Sequence, residues 1–331
     1  MSDNRLASGQ IEHWASLIGT IAAPITVLGA LLFYFGYVSS ASEYAYFGIN
    51  VDTIGLSTQA YIMRSPQTLL VPLLVLTLTS AGFLTLNAAV HKRITAAVTR
   101  TAQVADPGAG QAQRVRHIKR MVQRWRIFGL AALTVGFIML FAYPYMRDWP
   151  LYGLVTPLLI GIGAAIIAYA SHVLRFLQSL REHQKRAITR ERGSTRPVDD
   201  QAGDSLLARR TAAVFVYVMI AASVFWATAT IAQWSGRGLA EYAAIHFGAL
   251  PSVILDTKEQ LWLHDPSVYV KTLPASAGQT FHYRYRGLRL LIVGQDRMFL
   301  VPSQWSTHDS TLIVPLDGSV RIQFQFENEV P

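Results

Sequence analysis

The sequence predicts an α-helical polytopic membrane protein with five transmembrane helices, followed by a small all-β extracytoplasmic domain. Three observations support this fold class: long apolar runs, positive charge concentrated in two of the loops between them, and alternating apolar and polar residues near the C-terminus. The 331-residue chain is 51% hydrophobic and only 15% charged, with a mean hydropathy of +0.29. A soluble domain carries roughly 25% charged residues, so the composition also favours a membrane protein.

Five apolar runs are the basis for the predicted transmembrane helices. They cover residues 14–38, 68–90, 127–146, 151–173 and 211–234. Each run is close to the ~20 residues that a helix needs to cross the hydrocarbon core. The first run is too long for the apolar part of a signal peptide, although the small residues after it leave cleavage open. We assign residues 1–234 to a helical bundle and residues 235–331 to the β-domain.

The loop of residues 91–126 determines the predicted orientation. It contains nine basic residues and one acid, Asp106. Lys and Arg close to the ends of spans resist translocation, so this loop and the second basic loop, 174–210, are predicted to be cytoplasmic. The N-terminus is then cytoplasmic, and the loop 39–67 and the C-terminal domain lie outside a plasma membrane.

A basic amphipathic helix is predicted just before the third span, over residues 114–126. Its cations are Arg114, Arg116, Lys119, Arg120, Arg124 and Arg126. They are candidate contacts for anionic lipid headgroups, at about 1 kcal/mol per basic residue near the surface. An acidic cytoplasmic partner, or a role in orientation alone, is an open alternative. Nucleic acid is not an expected partner, because the basic residues do not belong to a folded domain.

The predicted external loop, residues 39–67, is rich in aromatic and apolar residues. Its candidate residues for packing or for contact with a partner are Tyr44, Tyr46, Phe47 and Tyr61. We expect a re-entrant or interfacial pair of short helices here. Gly48 is an expected helix stop, and Asp52 and Ser57 are expected caps.

Alternation in the tail predicts an antiparallel sandwich or barrel. Strands are expected near residues 252–256, 260–264, 268–273, 281–294, 297–302, 311–315 and 320–326. Gly287 is expected to place a bulge, and Asp317-Gly318 is expected to close a hairpin between the last two strands. Phe324 is expected in the core, and a surface helix is expected over 239–247.

The sequence contains no pattern that indicates catalysis, a cofactor or a metal site. There are no cysteines, which excludes disulfides and thiolate chemistry. The interiors of the five spans carry no charged residue, although proton relays and ion pathways usually use one. The tail histidines lack the spacing of metal ligands; they are His246, His264, His282 and His308. We therefore expect a protein that is not an enzyme.

Two functions are compatible with these observations. The leading one is a non-enzymatic interaction, scaffold or sensor module of the cell envelope, whose external β-domain binds a partner protein or a second copy of the chain. The alternative is an oligomeric channel or pore. In the second span, Ser80 and Asn87 fall close to one helix face and are candidate pore-lining residues. Hydroxyl groups of this span that bond to their own backbone would argue against a pore.

Three stretches resemble a group of uncharacterised five-span membrane proteins of actinobacteria. They read ASEYAYFGINVDTIGLSTQAYIMRS (41–65), YRYRGLRLLIVGQDRMFLVPSQW (283–305) and SVRIQF (319–324). The most specific part is the aromatic-Phe-Gly sequence followed by Leu-Ser-Thr-Gln-x-Tyr in the predicted external loop. The resemblance implies the architecture and a bacterial plasma membrane, and it implies no activity.

Overall fold

The computed structural model describes residues 3–102, 110–146, 148–191, 202–274, 276, 278–306 and 308–325. Within these ranges, side chains are described for all residues except 3–21, 91, 93–102, 110–119, 176–191 and 202–209. The helices are α1 (Asp3–Ala45), α2 (Val51–Ile54), α3 (Thr58–Ala102), α4 (Gly110–Phe141), α5 (Tyr143–Met146), α6 (Tyr152–Glu191) and α7 (Ala202–Ile245). A short 3₁₀ helix, Phe247–Ala249, follows α7.

Five helices of the described chain are long and apolar enough to cross a membrane. Within the described residues, the segments that meet this condition are Ala22–Ala45, Thr58–Val90, Arg120–Phe141, Tyr152–Arg175 and Arg210–Ile245. The predicted set of five spanning helices is therefore confirmed. All five helices extend beyond the predicted apolar runs at one end or both; α1 continues to Ala45, α3 begins at Thr58 and α7 continues to Ile245. The surface helix predicted over residues 239–247 is wrong as a separate element, because most of it continues α7.

The predicted pair of short helices in the loop 39–67 is also wrong. Only α2 lies between α1 and α3, and the rest of this stretch belongs to the ends of the two long helices. The extra turns bring oppositely charged groups together. Arg64 of α3 lies 3.3 Å from the carboxylate of Glu43 in α1. It also donates a 2.7 Å hydrogen bond to the hydroxyl of Tyr44.

The residues after α7 form one antiparallel sheet of six strands, which confirms the predicted β-domain. The strands are β1 (Ser252–Thr257), β2 (Tyr269–Thr272), β3 (Tyr283–Val293), β4 (Arg297–Pro302), β5 (Leu312–Pro315) and β6 (Val320–Gln325). Their order is β5-β4-β3-β1-β6, and β2 pairs with the first half of β3. The predicted bulge is present, because Gly287 has a φ of +83° and the β1–β3 register shifts beside it.

Three details of the predicted β-domain are wrong. The stretch 260–264 is not a strand, because Trp262 has a φ of +50° and turns the chain out of the extended conformation. The last two strands do not form a hairpin: β5 pairs with β4, and β6 pairs with β1 at the opposite end of the sheet. Asp317 instead accepts a 2.8 Å hydrogen bond from the Ser319 N–H, which makes a local turn. Phe324 is not in the core, because its side chain is 57% exposed on the outer strand β6.

The chain forms two compact units, one of residues up to Pro72 with those from Ile231 onward, and the other of Leu73–Thr230. In the first unit the sheet has a buried layer on each face, and β4 contributes to both. Phe299 and Val301 point into a layer that includes helix ends. Met298 and Leu300 point into a layer formed within the β-domain. The second unit contains the α4–α6 pair, where Gly129 and Gly163 let the helix backbones touch.

Candidate interaction site

The junction core is a buried cluster that ties the sheet to the helix ends of the first unit. Its members are aromatic and aliphatic side chains from three parts of the chain: the end of α1 through the start of α3, the end of α7 with the 3₁₀ helix, and strands β3 and β4. They are Tyr44, Phe47, Ile49, Val51, Ile54, Tyr61, Ala240, Phe247, Ile292, Phe299 and Val301. Burial of this apolar surface stabilises the attachment of the sheet to α1, α3 and α7.

Aromatic rings around the partly buried Trp305 pack against the junction core. The Trp305 ring lies 5.1 Å from that of Phe47, 5.6 Å from that of Tyr46 and 6.0 Å from that of Phe247, measured between centroids. These separations lie in the range that favours tilted and edge-to-face contacts. Because Trp305 lies about 60 positions from Phe247 and about 260 positions from Phe47 in the chain, the cluster exists only in the folded protein.

The end of α1 places the α1–α3 loop, residues 46–57, into this core. Gly48 has a φ of +74°, and its N–H donates to the Ala45 carbonyl at 3.1 Å while the Ile49 N–H donates to the Tyr44 carbonyl at 3.0 Å. This is a Schellman motif, in which a left-handed residue after the helix satisfies its last carbonyl groups. The predicted stop at Gly48 is therefore confirmed. The motif also directs Ile49 back towards Tyr44.

The cap predicted for α2 is wrong, and the cap predicted for α3 is confirmed. Asn50, and not Asp52, caps α2, because its side-chain oxygen accepts from the Asp52 N–H at 3.0 Å. Ser57 is confirmed as the cap of α3, since its hydroxyl accepts from the Ala60 N–H at 3.2 Å. Asp52 instead accepts a 3.1 Å hydrogen bond from the Tyr37 hydroxyl of α1.

Polar contacts fix the α1–α3 loop to the sheet. The Thr311 hydroxyl donates a 2.8 Å hydrogen bond to the Phe47 carbonyl. At the turn between β3 and β4, the Gln295 N–H donates to the Ile54 carbonyl at 3.4 Å. Gly294 lies so close to the same carbonyl that a Cβ atom would overlap it. The loop and the sheet are therefore joined by directional contacts as well as by the core.

A row of charged side chains crosses the sheet on the face that carries Phe299 and Val301. The register aligns Lys271 of β2, Arg284 of β3, Asp256 of β1 and Arg321 of β6. Asp256 is fully buried. Arg284 donates two hydrogen bonds to it, at 2.8 and 3.0 Å, and Arg321 donates two more, at 2.6 and 3.0 Å. We call these four residues the charge row.

The charge row has an excess of positive charge. Burial by itself raises the pKa of the Asp256 carboxyl and is the largest single effect. The hydrogen bonds and positive charges of Arg284 and Arg321 together outweigh it, so the pKa is lowered from its ordinary value. The carboxylate thus stays ionised and holds both guanidinium groups. Arg286, beside Arg284 on the same face, is exposed and adds a further cation.

Strand β6, which carries Arg321 of the charge row, is one edge of the sheet in the described part of the chain. Among the described residues it pairs only with β1, so the backbone groups along its other side have no strand partner. Arg321, Gln323 and Gln325 alternate on one face, and their side chains are exposed. Phe324, on the other face, exposes more than half of its side chain. An open edge with an exposed aromatic residue can accept an added strand.

The predicted loop and lipid residues have different environments. Tyr44, Phe47 and Tyr61 are buried in the junction core, and Tyr46 packs at its border. Arg120, Arg124 and Arg126 are exposed on α4. The side chains of the remaining three candidates lie outside the described residues; these are Arg114, Arg116 and Lys119.

The polar residues of the second predicted span mostly bond to their own helix. The hydroxyls of Thr77 and Thr79 donate to backbone carbonyls four residues earlier, each at 2.7 Å. The Thr85 hydroxyl donates to the Gly82 carbonyl at 2.9 Å. Ser80 is exposed, while the side-chain oxygen of Asn87 is buried without a hydrogen-bond partner among the described residues. Bonds of this kind are the usual way to satisfy hydroxyls in a membrane helix.

The tail histidines do not form a site. His246 stacks on Tyr242 with centroids 4.2 Å apart, and a ring nitrogen of His282 lies 3.3 Å from the Lys258 carbonyl. Within the described part of the chain, no three His, Asp or Glu residues are grouped so that they could hold a metal ion.

Comparison of the chain with protein-family models, with curated proteins and with solved structures finds no match in any of the three. The resemblance to actinobacterial five-span proteins therefore stays a prediction.

The sequence reasoning missed the charge row and Trp305. One signal for the row was available: Asp256 is the only charged residue in the otherwise apolar and hydroxylic strand SVILDT. A carboxylate in such a strand needs a cationic partner. The arginines of two other strands alternate with apolar residues, but only the strand order shows that both face Asp256.

Proposed function

We propose that this membrane protein acts in the cell envelope as a non-enzymatic interaction module, and that its β-domain binds a partner polypeptide or a second copy of the chain along strand β6. The proposal is based on the edge of β6, which no other described strand covers, and on Phe324, which is 57% exposed there. Natural sheets usually protect such edges, and an unprotected edge can accept an added strand through main-chain hydrogen bonds.

The attachment of the sheet supports a role as a scaffold or sensor. Strand β4 contributes Phe299 and Val301 to the same core as Tyr44 of α1 and Ala240 of α7. A partner bound to the sheet is thereby held at the ends of membrane helices. Displacement of the sheet would disturb the packing of those helices, so that binding of a partner could change the helices in the membrane.

The charge row indicates the chemistry of the partner. Arg321 lies in β6 itself and is partly exposed, and Arg284 and Lys271 follow it across the sheet. An extended segment with acidic side chains on the face beside Arg321 would match this charge, and complementary charge favours association and fixes register. We propose such a segment as the partner, on the extracytoplasmic side of the membrane.

Single-cysteine variants test both the binding edge and the orientation, because the chain has no cysteine of its own. A membrane-impermeant maleimide that carries a photo-activatable group is added to intact cells. Gln323→Cys, on the edge of β6, should be labelled and should give a discrete cross-linked product after illumination. Ser276→Cys, also in the β-domain, should be labelled without that product. Ala112→Cys, in the loop predicted to be cytoplasmic, should be labelled only after permeabilisation.

The mass of the product distinguishes a second copy of the chain from another polypeptide. Arg321→Glu in the Gln323→Cys background should reduce the yield of product if the partner is acidic. Equal yields from positions 276 and 323, or no product at position 323, would contradict recognition along β6. Labelling of position 112 but not of position 276 in intact cells would reverse the orientation.

A further inference from the structure

A groove of about 470 Å³ lies between α4 and α6 in the second unit. Its lining residues are Gln123, Arg126, Ile127, Leu130, Ile167 and Leu174. Four of the six are aliphatic, and the two polar residues both belong to the early part of α4. The volume falls within the range of about 300–1,000 Å³ that is usual for ligand sites in proteins.

The α4 side of the groove changes from polar to apolar along the helix. Gln123 and Arg126 come before Ile127 and Leu130, and Leu130 lies about 6 Å beyond Arg126 along the helix axis. A long arginine side chain directly before an apolar run can keep its charged end at the headgroup level. On α4 the groove therefore offers a cation followed by an aliphatic wall, which matches the order of the parts of a phospholipid.

The described part of the chain supplies no carboxylate to neutralise Arg126. Arg126 has no hydrogen-bond or ion-pair partner among the described residues. Within Leu73–Thr230, the only Asp or Glu whose side chain is described is Asp148, which follows the far end of α4. The described arginines at the near end of the helices add to the positive charge; they are Arg120, Arg124, Arg175 and Arg210.

From these observations we infer that the groove is a binding site for an anionic phospholipid of the bilayer. The lipid phosphate pairs with the Arg126 guanidinium, with Gln123 as a second donor. One acyl chain lies along Ile127, Leu130 and Ile167. This site is independent of strand β6, so it can be present or absent whatever the β-domain binds.

Native mass spectrometry of the full-length protein tests the site directly. The protein is purified in detergent and exposed to equal amounts of phosphatidylglycerol and phosphatidylcholine. The parent should retain phosphatidylglycerol about fivefold better, which corresponds to about 1 kcal/mol for one basic residue at a lipid phosphate. Arg126→Gln should bring this preference close to unity. Millimolar inorganic phosphate should leave the bound lipid in place, because the apolar wall contributes to its retention.

Matched variants separate the groove from general surface charge. Arg124→Gln removes an equal charge two residues away, on nearly the opposite side of the helix, and should keep the preference. Leu130→Trp fills the apolar part of the groove and should lower retention of both lipids. Val135→Trp, at an exposed position of α4 outside the groove, should retain them as the parent does.

Several results would overturn the inference. Equal losses in Arg124→Gln and Arg126→Gln would mean non-specific attraction of anionic lipid. An unchanged preference in Arg126→Gln, or displacement of the lipid by inorganic phosphate, would exclude a site built around this arginine. A dimer in the parent spectrum that Leu130→Trp dissociates would show that a second copy of the chain occupies the groove.

Discussion

The junction core and the helix–helix contacts of this chain are stabilised by different kinds of packing. In the junction core, large side chains such as Phe47 and Phe299 fill a common interior. In the helix–helix contacts, glycines let backbones approach closely, as Gly129 and Gly163 do in the unit Leu73–Thr230 and as Gly36 and Gly236 do in the other unit. The difference reflects the two solvents. Water drives apolar side chains into a core, whereas lipid is itself apolar and leaves close backbone approach and dispersion to hold helices together.

The largest expected effect is the loss of a large side chain from the junction core. Phe299 is fully buried, so Phe299→Ala should lower the free energy of unfolding by about 3–5 kcal/mol. Phe324→Ala is the matched control and should change it by no more than about 0.5 kcal/mol, because that side chain lies largely in solvent. Unfolding of the full chain in detergent, followed by near-ultraviolet circular dichroism, measures both. Comparable losses would mean that Phe324 is buried by a partner or by another part of the chain.

The next effect concerns the charge row. Asp256→Asn removes the carboxylate that holds Arg284 and Arg321. The cost should be about 2–3 kcal/mol, the upper part of the range for hydrogen bonds to charged groups. The partial exposure of both arginines keeps it below the loss expected for a fully buried ion pair. Chemical denaturation of the parent and the variant at neutral pH gives this difference.

The same pair of proteins yields a pH dependence. The pKa of Asp256 is lowered in the folded protein. The ionised carboxylate therefore contributes its full amount to the free energy of unfolding at pH values above the ordinary aspartate pKa of about 3.9. This contribution is lost as the pH falls from there through the folded-state value. The stability difference between the parent and Asp256→Asn should therefore shrink on acidification over this range. A constant difference would show that the carboxylate contributes by packing and not by charge.

The smallest expected effect on stability comes from the close contact between α4 and α6 in the second unit. A Cβ atom at Gly163 would lie 2.8 Å from both the Gly129 carbonyl oxygen and the Leu133 nitrogen. Gly163→Ala should therefore cost about 1–3 kcal/mol through overpacking. Gly82→Ala, where no atom lies within 4 Å of the new Cβ, should instead stabilise by up to about 1 kcal/mol. Thermal unfolding of both variants in the same detergent measures the two changes in stability. If Gly163→Ala stabilised the protein, α4 and α6 would be able to move apart at little cost.

The sequence was most informative where a local property decides the structure. Length and hydropathy were enough to predict the five spanning helices. The ability of glycine to adopt a positive φ was enough to predict the helix stop at Gly48 and the bulge at Gly287. Alternation was enough for most strands. The failures concern long-range choices. The Asp317-Gly318 turn was recognisable, yet the flanking strands pair with β4 and β1, because a turn signal carries no information about which open edge of a sheet is available.

The candidate site was harder to predict than the fold for the same reason. Tyr44, Phe47 and Tyr61 stood out by composition, but their partners Phe299 and Trp305 lie far along the chain. Phe324 showed the alternation of a core residue, and only the position of β6 at the end of the sheet leaves it exposed. Asp256 could be recognised as unusual, while its two arginines could be paired with it only after the strand order was known.

The junction core is built from parts of the chain that are synthesised at widely separated times. Its first members lie between Tyr44 and Tyr61, and its next member is Ala240. At about 5–20 residues per second, roughly 10–40 seconds separate the synthesis of these two parts. During that interval the aromatic side chains of the α1–α3 loop have no sheet to cover them. We therefore expect this loop to be the segment of the nascent protein most dependent on chaperones or on the membrane surface.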